Sequence, residues 1–390
     1  MHIAWLGKKS PFCGNVTYGR EITKALLNRG NQVSFLHFGQ EKTNYHHNGD
    51  SPEILLPFLY KSQVYTIPAL KASKVLMRSL QQLKPDLVHA SLTLSPLDFL
   101  LPDICEEMNL PLVATFHPPF DSKIRNLKSS TQYLTYQLYA PFLARYDKTI
   151  VFSDIQRDLL IKLGVPPQKV VVIPNGVDEQ KYSPGYSNFK YQIPSKTLFV
   201  YQGRIATEKN VEALLKAWKH CIDNSQINDN CKLLIVGDGP LRASLQPHYG
   251  KQHNVIWLGF IPEEERRIDI LRAADVFILP SLVEGLSISL LEGMACGIAC
   301  IATDAGADGE VLNKGAGVVM DTQGVTTQLK ILLPLLTQQP EMVTLLGNKA
   351  RQRIIERYTL SQNITKLEQL YAQIVPPKPF SSSVQVNISQ

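Results

Sequence analysis

The 390-residue chain contains no Cys-x-x-Cys pair, no Asp-x-Asp triplet and no Gly-x4-Gly-Lys-Ser/Thr loop. The first absence argues against zinc ribbons and dithiol redox chemistry. Its six cysteines, at 13, 105, 221, 231, 296 and 300, are irregularly spaced and fit a reduced compartment. The second, with no His/Cys cluster at metal spacing, leaves no ready metal site, so a metal-independent reaction is expected. The third removes Walker-type nucleotide binding. Gly237-Asp-Gly-Pro240 follows a strand pattern, but Arg242 stands where a dinucleotide fingerprint needs its third glycine. No apolar run approaches the roughly eighteen residues of a membrane-spanning helix, and Met1–Gly7 is too short for a signal-peptide core. Ile3–Gly7 reads as a first strand.

What is present is ordinary in bulk and uneven in detail. Hydrophobic residues make up 44% and charged residues 19%, the profile of a globular protein of two or three domains. Net charge is +6, with 20 Lys and Arg against 15 Asp and Glu up to Ser183, and 20 against 19 beyond it. The basic excess favours phosphates or an anionic membrane surface as partners, and nothing points to nucleic acid.

Short apolar strands alternate with helical patterns nearly throughout, which implies α/β architecture with parallel sheets. The first half offers strands at Ile3–Leu6, Val33–His37, Leu87–His89, Leu112–Thr115, Thr149–Phe152 and Val170–Ile173, with a helix from Val16 to Arg29. A Pro- and Gly-containing stretch near 184–195 reads as a linker. A second alternation follows, so two Rossmann-like domains facing across a cleft are expected, at 1–183 and 196–359. A final helix near 360–375 is expected to return to the first domain, and the polar tail 381–390 to be disordered.

The chain is organised around Glu284-Gly-Leu-Ser-Ile-Ser-Leu-Leu-Glu292-Gly-Met-Ala-Cys-Gly297. It reads as a loop entering a helix, with Ser287 and Ser289 as alternative N-caps. A helix start offers backbone N–H groups to a phosphate, and carboxylates on either side suit sugar hydroxyls. A second constellation, Gly203-Arg204-Ile-Ala-Thr-Glu-Lys209-Asn210, follows the strand Leu198–Tyr201. There Gly203 lets a ligand approach the backbone, and Arg204 and Lys209 can neutralise a leaving diphosphate without a metal. His117 ends the strand Leu112–Thr115, and the prolines after it hold the imidazole at the sheet edge.

Taken together, GRxxxEKN, VGDGP and EGxxxxxLEGMACG at these spacings resemble the retaining family 4 glycosyltransferases of the two-domain GT-B type, over nearly the whole chain. The resemblance implies a nucleotide-sugar co-substrate and no cofactor. By position it places Glu284 near donor-sugar hydroxyls and Glu292 near the ribose, with Arg204 and Lys209 on the diphosphate. The backbone of Gly285, Leu286 and Ser287 to Ser289 would add N–H donors. It further implies that His117 contacts sugar or acceptor in the cleft, and that Gly14, with Cys13 before it, lies in the loop nearest the donor. The catalytic group is then His117, Glu284, Arg204 and Lys209. The departures are Ala299 for proline, Gly306-Ala307 for a glycine pair and Leu286 for phenylalanine. All leave the charged roles intact.

The acceptor side is written more faintly. From Ile54 to Pro85 there is no acidic residue, while Lys61, Lys71, Lys74, Arg78 and Lys84 lie among apolar ones. Lys123, Arg125 and Lys128 precede Tyr133, Tyr136, Tyr139 and Phe142. Such mixtures suit peripheral contact with an anionic membrane, and equally suit helices with solvated lysines. The run Trp5–Glu21 is similar to the cyanobacterial type of digalactosyldiacylglycerol synthases. That similarity implies galactose transfer from UDP-galactose to monogalactosyldiacylglycerol at a plastid or cyanobacterial membrane. A transferase with a soluble or polysaccharide acceptor, a sugar-nucleotide epimerase and a non-catalytic sugar-nucleotide binder remain alternatives. The oligomeric state is left open.

Overall fold

A computed structural model describes residues 1–10, 14–39, 52–62, 65–120, 127–227 and 230–376, with the side chains of 127–131 left out. Cys13, Lys123, Arg125, the Lys128 side chain and the tail 381–390 lie outside the described residues.

Two parallel sheets carry the fold. The first has seven strands in the order Glu53–Leu56, Gln32–Phe38, His2–Gly7, Leu87–Ser91, Leu112–Thr115, Lys148–Val151 and Val170–Val172. The second has six, in the order Val255–Gly259, Cys231–Val236, Thr197–Gln202, Val276–Leu279, Ala299–Thr303 and Val318–Met320. Helices cover both faces, so these strands are near-continuous apolar runs; Ile3, Ala4, Trp5, Phe199 and Val200 have no exposed surface. The architecture is α/β, with two Rossmann-like domains.

In each sheet the order reverses at the domain's opening strand. Thr197–Gln202 lies between Cys231–Val236 and Val276–Leu279, with Phe199 paired to Val276. The crevice outside the carboxyl ends of such a pair is where an open parallel sheet accepts ligands. The loops after Gln202 and Leu279, which carry Arg204, Lys209 and Glu284, therefore start side by side.

The structure corrects the reading of the basic region. Glu53–Leu56 is a strand of the first sheet, in parallel register with Phe35–Phe38. Its neighbours Phe58–Lys61 and Thr66–Pro68 form a small antiparallel hairpin. Lys61 is no free surface cation: its ammonium reaches back to Ser10 Oγ and the Phe38 carbonyl, each at 2.8 Å. Tyr136 and Tyr139 are buried, donating to the Pro118 carbonyl at 2.8 Å and to Asp98 at 3.0 Å. They are core residues and leave the membrane-facing set.

The segment after Ser183 is held on the second domain. Asn188 and Phe189 donate their backbone N–H groups to Asp269, at 2.9 and 3.1 Å. The last helix, Leu360–Ile374, lies on the first domain. Arg29 and Asn31 grip Glu368 at 2.9 and 2.8 Å, and Tyr371 meets His89 Nδ1 at 2.5 Å. Where the chain crosses back, Val177 N–H bonds the Tyr358 carbonyl and Leu360 N–H the Val177 carbonyl, both at 2.9 Å. The two crossings thus run together.

Candidate functional site

The Glu284 loop leaves the strand Val276–Leu279 and enters the helix Ile288–Ala295, with Ser287 as N-cap: its Oγ accepts the Leu290 N–H at 3.3 Å. Ser289 is inside the helix. Glu284 is only 8% exposed, and its Oε1 lies 2.5 Å from Lys209 Nζ. Lys209 ends a 3-10 turn, Thr207–Lys209, whose Asn210 cap takes the left-handed conformation that starts the next helix. Two residues 75 apart in sequence therefore close an ion pair over the switch point. Arg204 stands beside them but turns to Glu208, four residues along.

Gly203 and its neighbours are tight. A Cβ on Gly203 would sit 2.8 Å from the Tyr201 hydroxyl, and one on Gly237, at φ +129°, 1.9 Å from the Gly203 carbonyl. The VGDGP glycine therefore serves the strand-end loop that carries Arg204. Gly14 opens the first helix, Gly14–Asn28, with nothing within 4 Å of its open side.

Glu292 lies deeper in the helix, at 9% exposure, accepting from Gln202 Nε2 at 2.8 Å and from the Tyr182 hydroxyl. Burial raises its carboxyl to about 7, with Arg267 and Tyr182 acting in the opposite direction. Gln202 Oε1 is buried without a partner, so this corner holds an unused acceptor beside a carboxyl that titrates near neutrality.

The first domain meets the Glu284 loop directly. The Phe120 N–H donates to the Glu284 carbonyl at 3.3 Å, and the side of Gly285 faces the His117 carbonyl, 3.4 Å from where a Cβ would be. Asn175 Nδ2 donates to the Leu286 carbonyl at 3.0 Å. His117 Nε2 is 2.7 Å from Ser91 Oγ, which gives its own proton to Asn15 Oδ1 at 2.8 Å. Ser91 must then accept from Nε2–H, leaving Nδ1 as an acceptor. Burial, helped by the positive charge of Lys8, lowers the imidazole to about 3, so it is neutral across the physiological range.

Lys209, Glu284, Gly285 and the His117 loop thus converge, whereas Glu292 occupies a separate corner with Gln202. Sequence reasoning missed Asn15, Ser91, Gln202, Tyr182 and Asp308, which act through the named residues. Asn175, a further partner of the Glu284 loop, stands in the run Ile173-Pro-Asn-Gly-Val-Asp178 just before the linker. The amide set also needs correction. The Ser287 N–H is already bound to Asp308 Oδ1 at 2.9 Å, and so is not a free donor for a phosphate. Among the described residues no cluster of three or more His, Cys, Asp or Glu could hold a metal ion.

Comparison with known proteins adds a lineage to this geometry. Residues 14–181 match the model of "Glycosyltransferase Family 4" and residues 187–353 that of "Glycosyl transferases group 1". An Escherichia coli UDP-Gal:alpha-D-GlcNAc-diphosphoundecaprenol alpha-1,3-galactosyltransferase is 28% identical over 80% of this chain and 81% of its own. The Arabidopsis thaliana sulfoquinovosyl transferase is 26% identical over 77% and 59%, and the Streptococcus pneumoniae alpha-monoglucosyldiacylglycerol synthase 29% over 57% and 52%. Other curated relatives, from Methanocaldococcus jannaschii and Bacillus subtilis, are spanned over about half their length. Among solved structures, sucrose-phosphate synthase of Thermosynechococcus elongatus superposes with TM-score 0.76 at 19% identity, over 95% of this chain and 98% of that one. Anabaena HepE with UDP-glucose gives 0.74 at 16%, over 96% and 100%.

Proposed function

For a chain that belongs to the family 4 glycosyltransferases of GT-B architecture, we propose anomer-retaining transfer of a hexosyl unit, galactose foremost, from a UDP-sugar to a membrane glycolipid. The galactolipid form of this reading takes monogalactosyldiacylglycerol to digalactosyldiacylglycerol at a plastid or cyanobacterial membrane. One observation carries the transferase chemistry: the Lys209–Glu284 pair at the switch point, sealed from behind by the His117–Phe120 loop. A UDP-sugar would divide this pair. Lys209, with Arg204, turns to the diphosphate, and Glu284 accepts hydroxyl protons from the sugar. His117 Nδ1 offers one more acceptor from across the cleft. Glu292 and Gln202 suit ribose hydroxyls. The departing diphosphate, held by cations in a water-poor crevice, then takes the proton of the incoming hydroxyl. Gly14, Gly203 and Gly285 supply room for backbone approach, and no metal or other cofactor enters the scheme.

The acceptor assignment has its own support. The hairpin Phe58–Lys61/Thr66–Pro68 exposes Leu59 at 72% and Leu70, just beyond it, at 97%, with Tyr60, Tyr65 and Ile67 alongside. Next to it the helix Ala72–Leu83 and its N-cap expose Lys71, Lys74 and Arg78. Apolar tips flanked by cations suit a peripheral anchor in an anionic leaflet, where each cation contributes about 1 kcal/mol. No helix among the described residues is long and apolar enough to cross a membrane. One relative, named as an alpha-monoglucosyldiacylglycerol synthase, supports a lipid acceptor.

The test is a donor-by-acceptor screen of purified protein: UDP-galactose, UDP-glucose and GDP-mannose against monogalactosyldiacylglycerol, diacylglycerol and soluble sugars. Galactosyl transfer to the lipid with retained α configuration is expected. Transfer only to soluble sugars, or epimerisation without transfer, overturns the lipid assignment.

A further inference from the structure

Asp308 opens the short helix Asp308–Val311 against the back of the Glu284–Ser287 loop, and none of its surface reaches solvent. Its Oδ1 accepts the Ser287 N–H at 2.9 Å, while Oδ2 is buried with no hydrogen-bond partner. The turn before it fits the same loop at two more points. Ala307 N–H donates to the Gly285 carbonyl at 2.7 Å, and Gly306, at φ +60°, brings its Cα so close that a Cβ would lie 2.3 Å from the Glu284 carbonyl. Ala305–Asp308 is therefore a template for the donor loop, and its one ionisable side chain in that contact carries an unused oxygen.

A buried carboxyl with an idle oxygen beside an ionised Glu284 is costly as an anion and cheaper with its proton on that oxygen. Burial and the Glu284 charge both raise Asp308 well above the usual carboxylate range, against the opposing pull of the Ser287 N–H and Lys209. Glu284 and Lys209 are the charged groups acting on it from other elements; on its own turn, Asp304 lies against Gly309.

We propose that Asp308 is a positioning residue that acts as a neutral hydrogen-bond donor behind Glu284, compensating its charge when Lys209 turns to the leaving diphosphate. The inference rests on the donor-site reading above. Lys209 balances Glu284 at 2.5 Å. One ammonium shared with a diphosphate leaves the buried Glu284 undercompensated, and the unmade Asp308 O–H is a donor at hand that adds no charge. An ionised Asp308 would do the opposite and push Glu284 toward protonation, ending its use as an acceptor for sugar hydroxyls.

Two variants separate the possibilities. Asp308→Asn keeps a neutral donor and an acceptor for the Ser287 N–H, whereas Asp308→Leu keeps only the volume. Affinities for UDP and for UDP-galactose, with UDP-glucose in parallel, are measured by calorimetry between pH 6.5 and 9. UDP should bind all three proteins within about threefold. The added affinity due to the sugar should persist within about threefold in Asp308→Asn and fall about tenfold or more in Asp308→Leu, and any decline with rising pH that Asp308 causes should be absent from Asp308→Asn. Equal weakening of UDP and UDP-sugar in Asp308→Leu, or an Asp308→Asn as impaired as the leucine variant, overturns the proposal. If Asp308→Leu fails to fold, Asp308→Asn decides alone: loss of more than about threefold of the sugar's added affinity overturns the proposal. A wild type that binds neither UDP nor UDP-sugar removes the functional reading and this inference together. A wild type that binds both while the variants depart from the pattern removes only the inference.

Discussion

Lys209 Nζ and Glu284 Oε1 lie 2.5 Å apart, from loops on neighbouring strands of one sheet, with 21% and 9% of their side chains exposed. A pair this enclosed is poised to be divided by a ligand that carries both a diphosphate and hydroxyl groups. Lys209→Met and Glu284→Gln should each lower kcat by about 100-fold or more, with thermal melting shifted by only a few degrees. Turnover within about threefold of wild type for either variant would remove the assignment of the donor site.

Glu292 titrates near neutrality because it is buried, and two consequences follow. Its folded value, about 7, lies above its ordinary 4.5, so the folded state favours the protonated form. The associated stability is present below the ordinary value and is lost as pH rises through about 7. Glu292→Gln should therefore match the wild type in urea titrations at pH 4.5 and exceed it at pH 8, by no more than roughly 3 kcal/mol. If ribose hydroxyls donate to the carboxylate, UDP binding at pH 6.5 must also release a proton. Calorimetry in buffers of different ionisation enthalpy reads that release directly, and its absence would take Glu292 out of the ribose site.

His117 is neutral well below pH 6, so it should contribute no acid limb to the rate profile between pH 5 and 7. His117→Ala should lower kcat about 10- to 100-fold, and Ser91→Ala should reproduce part of that loss by freeing the imidazole to rotate. An acid limb near 6.5 that disappears in His117→Ala would show that the imidazole is charged in the working enzyme.

Much of this site was legible in advance, for a physical reason. Strand ends, glycines and helix caps are local signals, so the loops carrying Gly203, Arg204, Lys209, Glu284 and Ser287 could be placed from spacing alone. What spacing does not encode is which groups the tertiary fold turns inward. Lys61 looked like a surface cation because its neighbours are basic, yet the first sheet's edge gives its ammonium two oxygen partners. Tyr136 and Tyr139 looked amphipathic, yet Pro118 and Asp98 receive their hydroxyls inside the core. The strand Glu53–Leu56 was overlooked because an edge strand of four residues leaves little pattern. Asp308 had no local cue, since its meaning lies in a contact with a loop 21 positions earlier.

The corrected surface gives a sharper membrane test. Lys71→Gln, Lys74→Gln and Arg78→Gln combined should reduce flotation with vesicles containing phosphatidylglycerol about 10-fold or more and weaken its salt dependence, leaving melting unchanged. Leu59→Ser with Leu70→Ser should reduce binding to neutral and anionic vesicles alike. Lys61→Gln, by contrast, should lower stability. Undiminished flotation of both multiple variants would place the membrane contact elsewhere or remove it.

Gly306 offers a check on the template itself. An alanine there meets the Glu284 carbonyl and must hold φ +60°. Gly306→Ala should cost roughly 2–4 kcal/mol in stability. Melting like that of the wild type would show that the turn and the donor loop are not fitted to one another.

The paired crossings at Val177 and Thr359 also bear on mechanics. Two domains joined by one strand can swivel in any direction, like a ball on a cord. Here two segments hydrogen-bonded side by side join them, and the second is anchored beyond the seam by Glu368 and Tyr371. Such a joint resists twist and shear and leaves bending about the seam as its soft direction. The cleft should then open and shut as a door does. Bending about the seam would part and rejoin Phe120 and the Glu284 carbonyl in one register, bringing the His117 loop back to the Glu284 loop.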